Sequence, residues 1–183
     1  NNDPTWHLVH SMGGPVGSLF LARPEAKELN VVGMMGVGAG SPYVEGFVGA
    51  DRRRVAYGSL FMSAVSTVFG FWPAGRVDLP GYGRQSDVHV REWTRFCHRN
   101  SLAHLRGQDM DYEARMKEVT VPILLTRFTD DEDCTLASAA WLAEKFNPDL
   151  VHVEQINGGL GHTRWARTPG RVADRLDRFV EAL

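Results

Sequence analysis

The residues whose order carries the most chemistry are Val9-His10-Ser11-Met12-Gly13-Gly14. An apolar run, Trp6–His10, leads into them, and a helical pattern, Gly14–Arg23, leaves them and stops at Pro24. A serine on a sharp strand-to-helix turn has its Oγ thrust outward, and small neighbours let the backbone pass. The helix start then lies beneath an attacked carbonyl, where the helix dipole and the Met12 N–H can hold an oxyanion. The pattern Gly-x-Ser-x-Gly is met except at its first position, where Val9 stands. The plainer reading of the same residues is a Ser11 helix cap followed by a glycine turn.

A nucleophilic serine needs a base and an acid that orients it, in the order Ser, acid, His for a site of this kind. Two later loops supply them. Arg127-Phe128-Thr129-Asp130-Asp131-Glu132-Asp133 follows the apolar run Val121–Thr126. Asn157-Gly158-Gly159-Leu160-Gly161-His162-Thr163 follows Val151–Ile156, and its glycines let the imidazole reach a neighbouring strand end. The plainer alternatives are a solvent-facing His162 and a solvated or cation-binding acidic loop. The acidic loop lacks the glycine-punctuated spacing of a calcium loop, and the histidines lack a metal-site spacing, so no metal is expected. No cofactor is expected either. Gly36-Val37-Gly38-Ala39-Gly40 has no helix immediately after it and no acidic residue at the needed distance, which argues against a dinucleotide fingerprint. These small residues are expected instead to make room beside the Ser11 turn.

Elements that position the three loops follow from the hydrophobic pattern. Trp6–His10, Asn30–Met35, Val121–Thr126 and Val151–Ile156 read as short buried strands. Helical patterns cover Gly14–Arg23, Thr135–Phe146 and Pro169–Leu183. The alternation predicts an α/β fold with a mostly parallel sheet and helices on both faces. It breaks between about Ser41 and Glu118, a stretch far longer than a crossover needs, which predicts an inserted cap. The expected division is therefore 1–40 and 119–183 as the core and 41–118 as a helical cap. Within the insertion, Val88–Cys97 reads as a helix and Leu79-Pro80-Gly81-Tyr82-Gly83 as a turn. Val55–Gly75 carries no charge, but Gly58, Ser59, Ser63, Ser66, Thr67 and Gly70 dilute it and Pro73 ends it, which favours a buried cap helix or an apolar wall over a ligand pocket above a membrane span.

Composition narrows the function classes. The chain has 183 residues, 20 Lys and Arg against 22 Asp and Glu, and a net charge of −2. The absence of a basic excess argues against a nucleic-acid binder. A hydrophobic fraction of 43% with 23% charged residues is that of a folded domain. Two cysteines, Cys97 and Cys134, make no disulfide framework. The first residues show no signal-peptide pattern, which suggests a cytoplasmic location.

Taken together, His10-Ser11-Met12-Gly13-Gly14, the Asp130-Asp131 loop after Ile123–Thr126, and Gly161-His162 resemble the C-terminal two thirds of an α/β-hydrolase. The stretch from Gly70-Phe71-Trp72-Pro73 through Asp78-Leu79-Pro80 to Arg91-Glu92-Trp93 and Cys97 is similar to the cap of bacterial members with no firmly assigned substrate. The resemblance implies that Ser11 is the nucleophile, His162 the general base and Asp131 its orienting acid, with Asp130 as the alternative acid. Asp131 is preferred because the family's pattern sets the acid four residues beyond Leu125-Thr126-Arg127. His10, Phe71, Trp72 and Trp93 are expected to line a substrate pocket.

The same resemblance implies strands that would precede the nucleophile's strand, together with the loop that supplies a second oxyanion donor. An exposed edge strand recruits a partner, so a complementary N-terminal segment or a second chain is expected. The function implied is a carboxylesterase-like serine hydrolase acting on a small-molecule ester through an acyl-enzyme. An acyltransferase using the same three residues is the alternative, and a non-catalytic hydrolase-fold binding or scaffold protein is a further one.

Overall fold

The computed structural model describes residues 3–78 and 81–183. In chain order the elements are β1 (Thr5–His10), α1 (Gly13–Leu21), α2 (Pro24–Glu28), β2 (Val31–Val37), α3 (Gly49–Phe69), β3 (Phe71–Trp72), β4 (Gln85–Ser86), α4 (Asp87–Arg99), α5 (Tyr112–Lys117), β5 (Ile123–Phe128), α6 (Leu136–Ala143), β6 (Val151–Ile156) and α7 (Gly170–Glu181). They form two compact units, one made of 1–41 and 111–183 and the other of 42–110.

The first unit holds a parallel four-stranded sheet in the order β1-β2-β5-β6. Its two central strands, β2 and β5, are buried nearly throughout, whereas the edge strands β1 and β6 mix polar with apolar residues and are only partly buried. On one face Met35, Val37, Leu124 and Phe128 pack with Val172 and Phe179 of α7 and with Trp165. Met34 and Leu125 alternate onto the other face, where α1 lies so close that a Cβ on Gly17 would sit 3.2 Å from the Met34 sulfur. β1 is an edge strand, with Leu8 49% exposed. The chain therefore has the α/β class and parallel sheet that its pattern predicts. α5 belongs to this unit, so residues 111–118 correct the expected boundary of the insertion at 118.

The second unit is built on α3 and α4. Val55, Ser59, Met62 and Ser66 form the buried face of α3, while Tyr57, Leu60, Phe61 and Val68 are exposed. The Thr94 hydroxyl of α4 donates to the Ser59 carbonyl at 2.9 Å, and the imidazole Nε2 of His98 lies 3.1 Å from Ser59 Oγ. The uncharged stretch is thus helical as far as Phe69, with one face buried, and leaves the helix at Gly70 (φ 76°) for β3; among the described residues no helix is long and apolar enough to cross a membrane. Trp72 is 2% exposed, packs with Met62 and Val90, and donates its indole N–H to Asp78 at 2.8 Å. It is a core residue of this unit, which corrects its placement on a pocket wall. Trp93 packs against the same cluster, and Phe71 carries the Arg84 guanidinium 4.1 Å above its ring. Leu79 and Pro80 of the expected turn lie outside the described residues.

Both cysteines are free and buried. Burial pushes each thiol up to about 12, which keeps both protonated and unreactive.

Candidate active site

Every candidate residue of the core sits at the carboxyl end of a parallel strand, where open α/β sheets place their sites. Ser11 leaves β1 with φ 53°, a left-handed conformation that costs an L-residue about 1–2 kcal/mol. The turn is held by Ser11 N–H donating to the Val37 carbonyl at 3.2 Å and Gly14 N–H donating to the Ser11 carbonyl at 2.9 Å. α1 begins immediately afterwards with Met12 as its first flanking residue. A Cβ on Gly14 would lie 2.6 Å from the Ala39 Cβ, so the turn requires small residues both at Gly14 and in the loop after β2.

His162 comes from the opposite side of the sheet. β6 is three strand positions from β1, about 14 Å at the usual inter-strand spacing. The loop after β6 must cross back over the ends of β5 and β2 to reach Ser11. Gly158 at φ 139° and Gly161 at φ 52° supply backbone conformations that residues with a Cβ rarely adopt. The result is a contact of 2.8 Å between His162 Nε2 and Ser11 Oγ.

Asp131 meets the other ring nitrogen. Both of its oxygens lie 3.0 Å from His162 Nδ1, and its side chain is fully buried. Its Oδ1 also accepts the backbone N–H groups of Asp133 at 3.0 Å and Cys134 at 2.9 Å. A carboxylate fixed as an acceptor in this way requires the His162 proton on Nδ1, which leaves the Nε2 lone pair facing Ser11. Of the two aspartates the sequence leaves open, Asp131 touches the imidazole. Asp130 turns away, accepts the Gly161 N–H at 2.9 Å and pairs with Arg164 at 3.2 Å.

Burial is the largest influence on His162 and opposes its charged form. The hydrogen bond His162 donates to Asp131, the charge of Asp131 and that of Asp133 together outweigh it and hold the pKa above the ordinary 6.5. For His10, burial dominates and the nearby His162 adds to it, so its pKa lies below 6.5 despite the bond it makes to the His162 carbonyl.

Two supporting residues escaped the sequence reading. Arg127, 8% exposed, donates Nε–H to the Cys134 carbonyl at 2.7 Å and Nη2–H to the Asp131 carbonyl at 2.7 Å, bonds the Gln155 side chain, and so braces the acid loop from beneath. An arginine next to the end of a largely apolar, fully buried strand is the available signal. Gly38, at φ 56°, lies under the Asp131–His162 pair, where a Cβ would come within 2.9 Å of Asp131 Oδ2 and 3.0 Å of His162 Nδ1. Gly38→Ala is expected to cost about 1–2 kcal/mol from backbone strain alone. Urea unfolding measures this, and an unchanged midpoint and slope would contradict the seating of the pair over Gly38.

No family model matches the sequence, and no curated protein matches it either. Solved structures do match. Mouse alpha/beta hydrolase domain-containing protein 10 superposes with a TM-score of 0.54 at 16% identity, over 98% of this chain and 64% of that one. A bromoperoxidase from Bacillus anthracis gives 0.53 at 16% identity, over 96% and 67%. A monoacylglycerol lipase from Paleococcus ferrophilus gives 0.50 at 14% identity, over 93% and 66%. The chain has the α/β-hydrolase fold. It spans about two thirds of the length of these structures, and at such identities the likeness is one of fold alone.

Proposed function

We propose that this chain carries the catalytic residues of a serine hydrolase that cleaves a small-molecule ester. The observation that carries the reading is the unbroken row Ser11 Oγ, His162 Nε2, His162 Nδ1, Asp131, at 2.8 and 3.0 Å. In this reading His162 takes the Ser11 proton as Oγ attacks the ester carbonyl, and Asp131 stabilises the imidazolium. The alkoxide leaves with that proton, giving an acyl-enzyme. Water then adds to the acyl carbon, with His162 as base again, and releases the acid. In this reading the Met12 N–H at the start of α1 receives the developing oxyanion, a contribution of about 3 kcal/mol for one good donor.

The strained φ of Ser11 supports catalysis over a scaffold role, because backbone strain persists where a function needs the side chain so aimed. Steady-state turnover of a short p-nitrophenyl ester tests the reading. An initial burst followed by slower release is expected, and no turnover by the folded protein would refute it. Added alcohol acceptors separate hydrolysis from acyl transfer: a new ester among the products would favour the transferase.

His162 acts only when neutral, so kcat/KM is expected to fall as pH drops through a value above 6.5, the direction in which its pKa is held. The stability sign is opposite. The paired imidazolium stabilises the fold fully below 6.5, and that contribution is lost as pH rises through the raised folded-state value. Acid activation limbs below 6.5 in a pH–rate profile would contradict the Asp131–His162 assignment.

A further inference from the structure

We propose that His10 and Asp130 are positioning residues that clamp the backbone of the His162 loop from both sides, keeping its imidazole on the line from Asp131 to Ser11. The inference rests on the reading of Ser11, Asp131 and His162 as the catalytic residues. Asp130 Oδ1 accepts the N–H of Gly161, the residue before His162, at 2.9 Å. His10 Nε2 lies 2.8 Å from the carbonyl oxygen of His162 itself. A carbonyl only accepts, so His10 carries its proton on Nε2 and donates.

The loop needs such a clamp. It crosses the ends of two strands, and its glycines, which allow the crossing, also leave it more conformations to lose on folding. Each clamp residue is itself anchored. The His10 ring meets the His162 ring at 4.8 Å between centroids and the Trp165 ring at 5.5 Å, nearly edge-on. Trp165 belongs to the core under α7. Asp130 is tied to Arg164, two residues beyond His162. The positions in the chain matter as much as the bonds. His10 directly precedes the nucleophile and Asp130 directly precedes the acid. A backbone shift of the His162 loop is thereby coupled to the two elements that present its reaction partners.

Four variants test this: His10→Phe keeps a ring against Trp165 but removes the donor, and His10→Gln restores an N–H at similar reach. Asp130→Ala removes the acceptor, and Asp130→Asn keeps an acceptor oxygen. With a p-nitrophenyl ester, His10→Phe and Asp130→Ala are expected to lower kcat about 10- to 100-fold, the scale of a misplaced catalytic group, with KM within about twofold. His10→Gln and Asp130→Asn are expected to stay within about fivefold of wild type, the worth of one altered hydrogen bond. A loss confined to KM, or a Gln variant as impaired as the Phe variant, would overturn the proposal.

A second readout needs no turnover. Hydrogen exchange at the Gly161 amide, which bonds Asp130 and not His10, is expected to speed up about tenfold in His10→Phe, because the loop is released at its other end. Unchanged Gly161 exchange in His10→Phe would overturn the clamp. Faster exchange in a protein that turns over no ester would leave the clamp standing and refute the hydrolase reading.

Discussion

Ser11→Ala is expected to lower ester turnover by about 10⁴- to 10⁶-fold, the loss seen when a serine hydrolase loses its nucleophile. No nearby group replaces it. His162 Nε2 points at Ser11 Oγ, and both thiols are buried, with their pKa values pushed up to about 12. The same variant is expected to fold at least as stably as wild type, since the left-handed φ of 53° burdens alanine no more than serine. Turnover and thermal unfolding measured on one preparation separate the two effects. Activity within tenfold of wild type would remove Ser11 from the mechanism.

Asp131→Asn carries the second large effect, and its cause can be followed atom by atom. Asp131 Oδ1 accepts two backbone N–H groups, from Asp133 and Cys134. Asparagine keeps those bonds only by placing its carbonyl oxygen there, which turns its NH₂ toward His162 Nδ1, 3.0 Å from the present Oδ2. An N–H facing Nδ1 selects the tautomer with the proton on Nε2, and the ring then offers Ser11 a donor instead of a base. A loss of about 10⁴-fold in kcat is expected, the scale of a wrong tautomer in a serine protease. Asp130→Asn sits one residue away and keeps its acceptor toward Gly161, so it is expected to lose only a few-fold. The reverse ranking would transfer the acid role to Asp130.

Much of this architecture is legible in the residues because strands of a parallel sheet buried on both faces are nearly continuous apolar runs. The apolar run ending at Thr126 becomes β5, buried along its whole length, and Ser11 lies on the turn before Gly13-Gly14; Val151–Ile156 is a strand over the residues its pattern marks, but an edge strand and only partly buried. The choice between Asp130 and Asp131 is different in kind. Both occupy one loop, and only the backbone N–H groups of Asp133 and Cys134 and the brace from Arg127 aim one of them at the ring. Contacts between residues more than a hundred positions apart, such as His10 with the His162 carbonyl, leave no local periodicity to read. Trp72 and the faces of α3 show what the pattern leaves open. An apolar aromatic near an expected pocket fits a wall and a core equally well, and α3 buries Ser59 and Ser66 while exposing Tyr57 and Phe61. There, packing on α4 overrides the hydrophobic pattern.

The central claim is that Ser11 is an activated nucleophile, and a fluorophosphonate probe tests it most directly. Phosphonylation requires a serine oxygen deprotonated by a neighbouring base, with the probe's fluoride as leaving group. After reaction and digestion, mass spectrometry should find the adduct on Ser11 in wild type, no adduct in Ser11→Ala, and much slower labelling in Asp131→Asn. Equal labelling of wild type and Ser11→Ala, or a folded wild type that takes up no probe, would contradict the account.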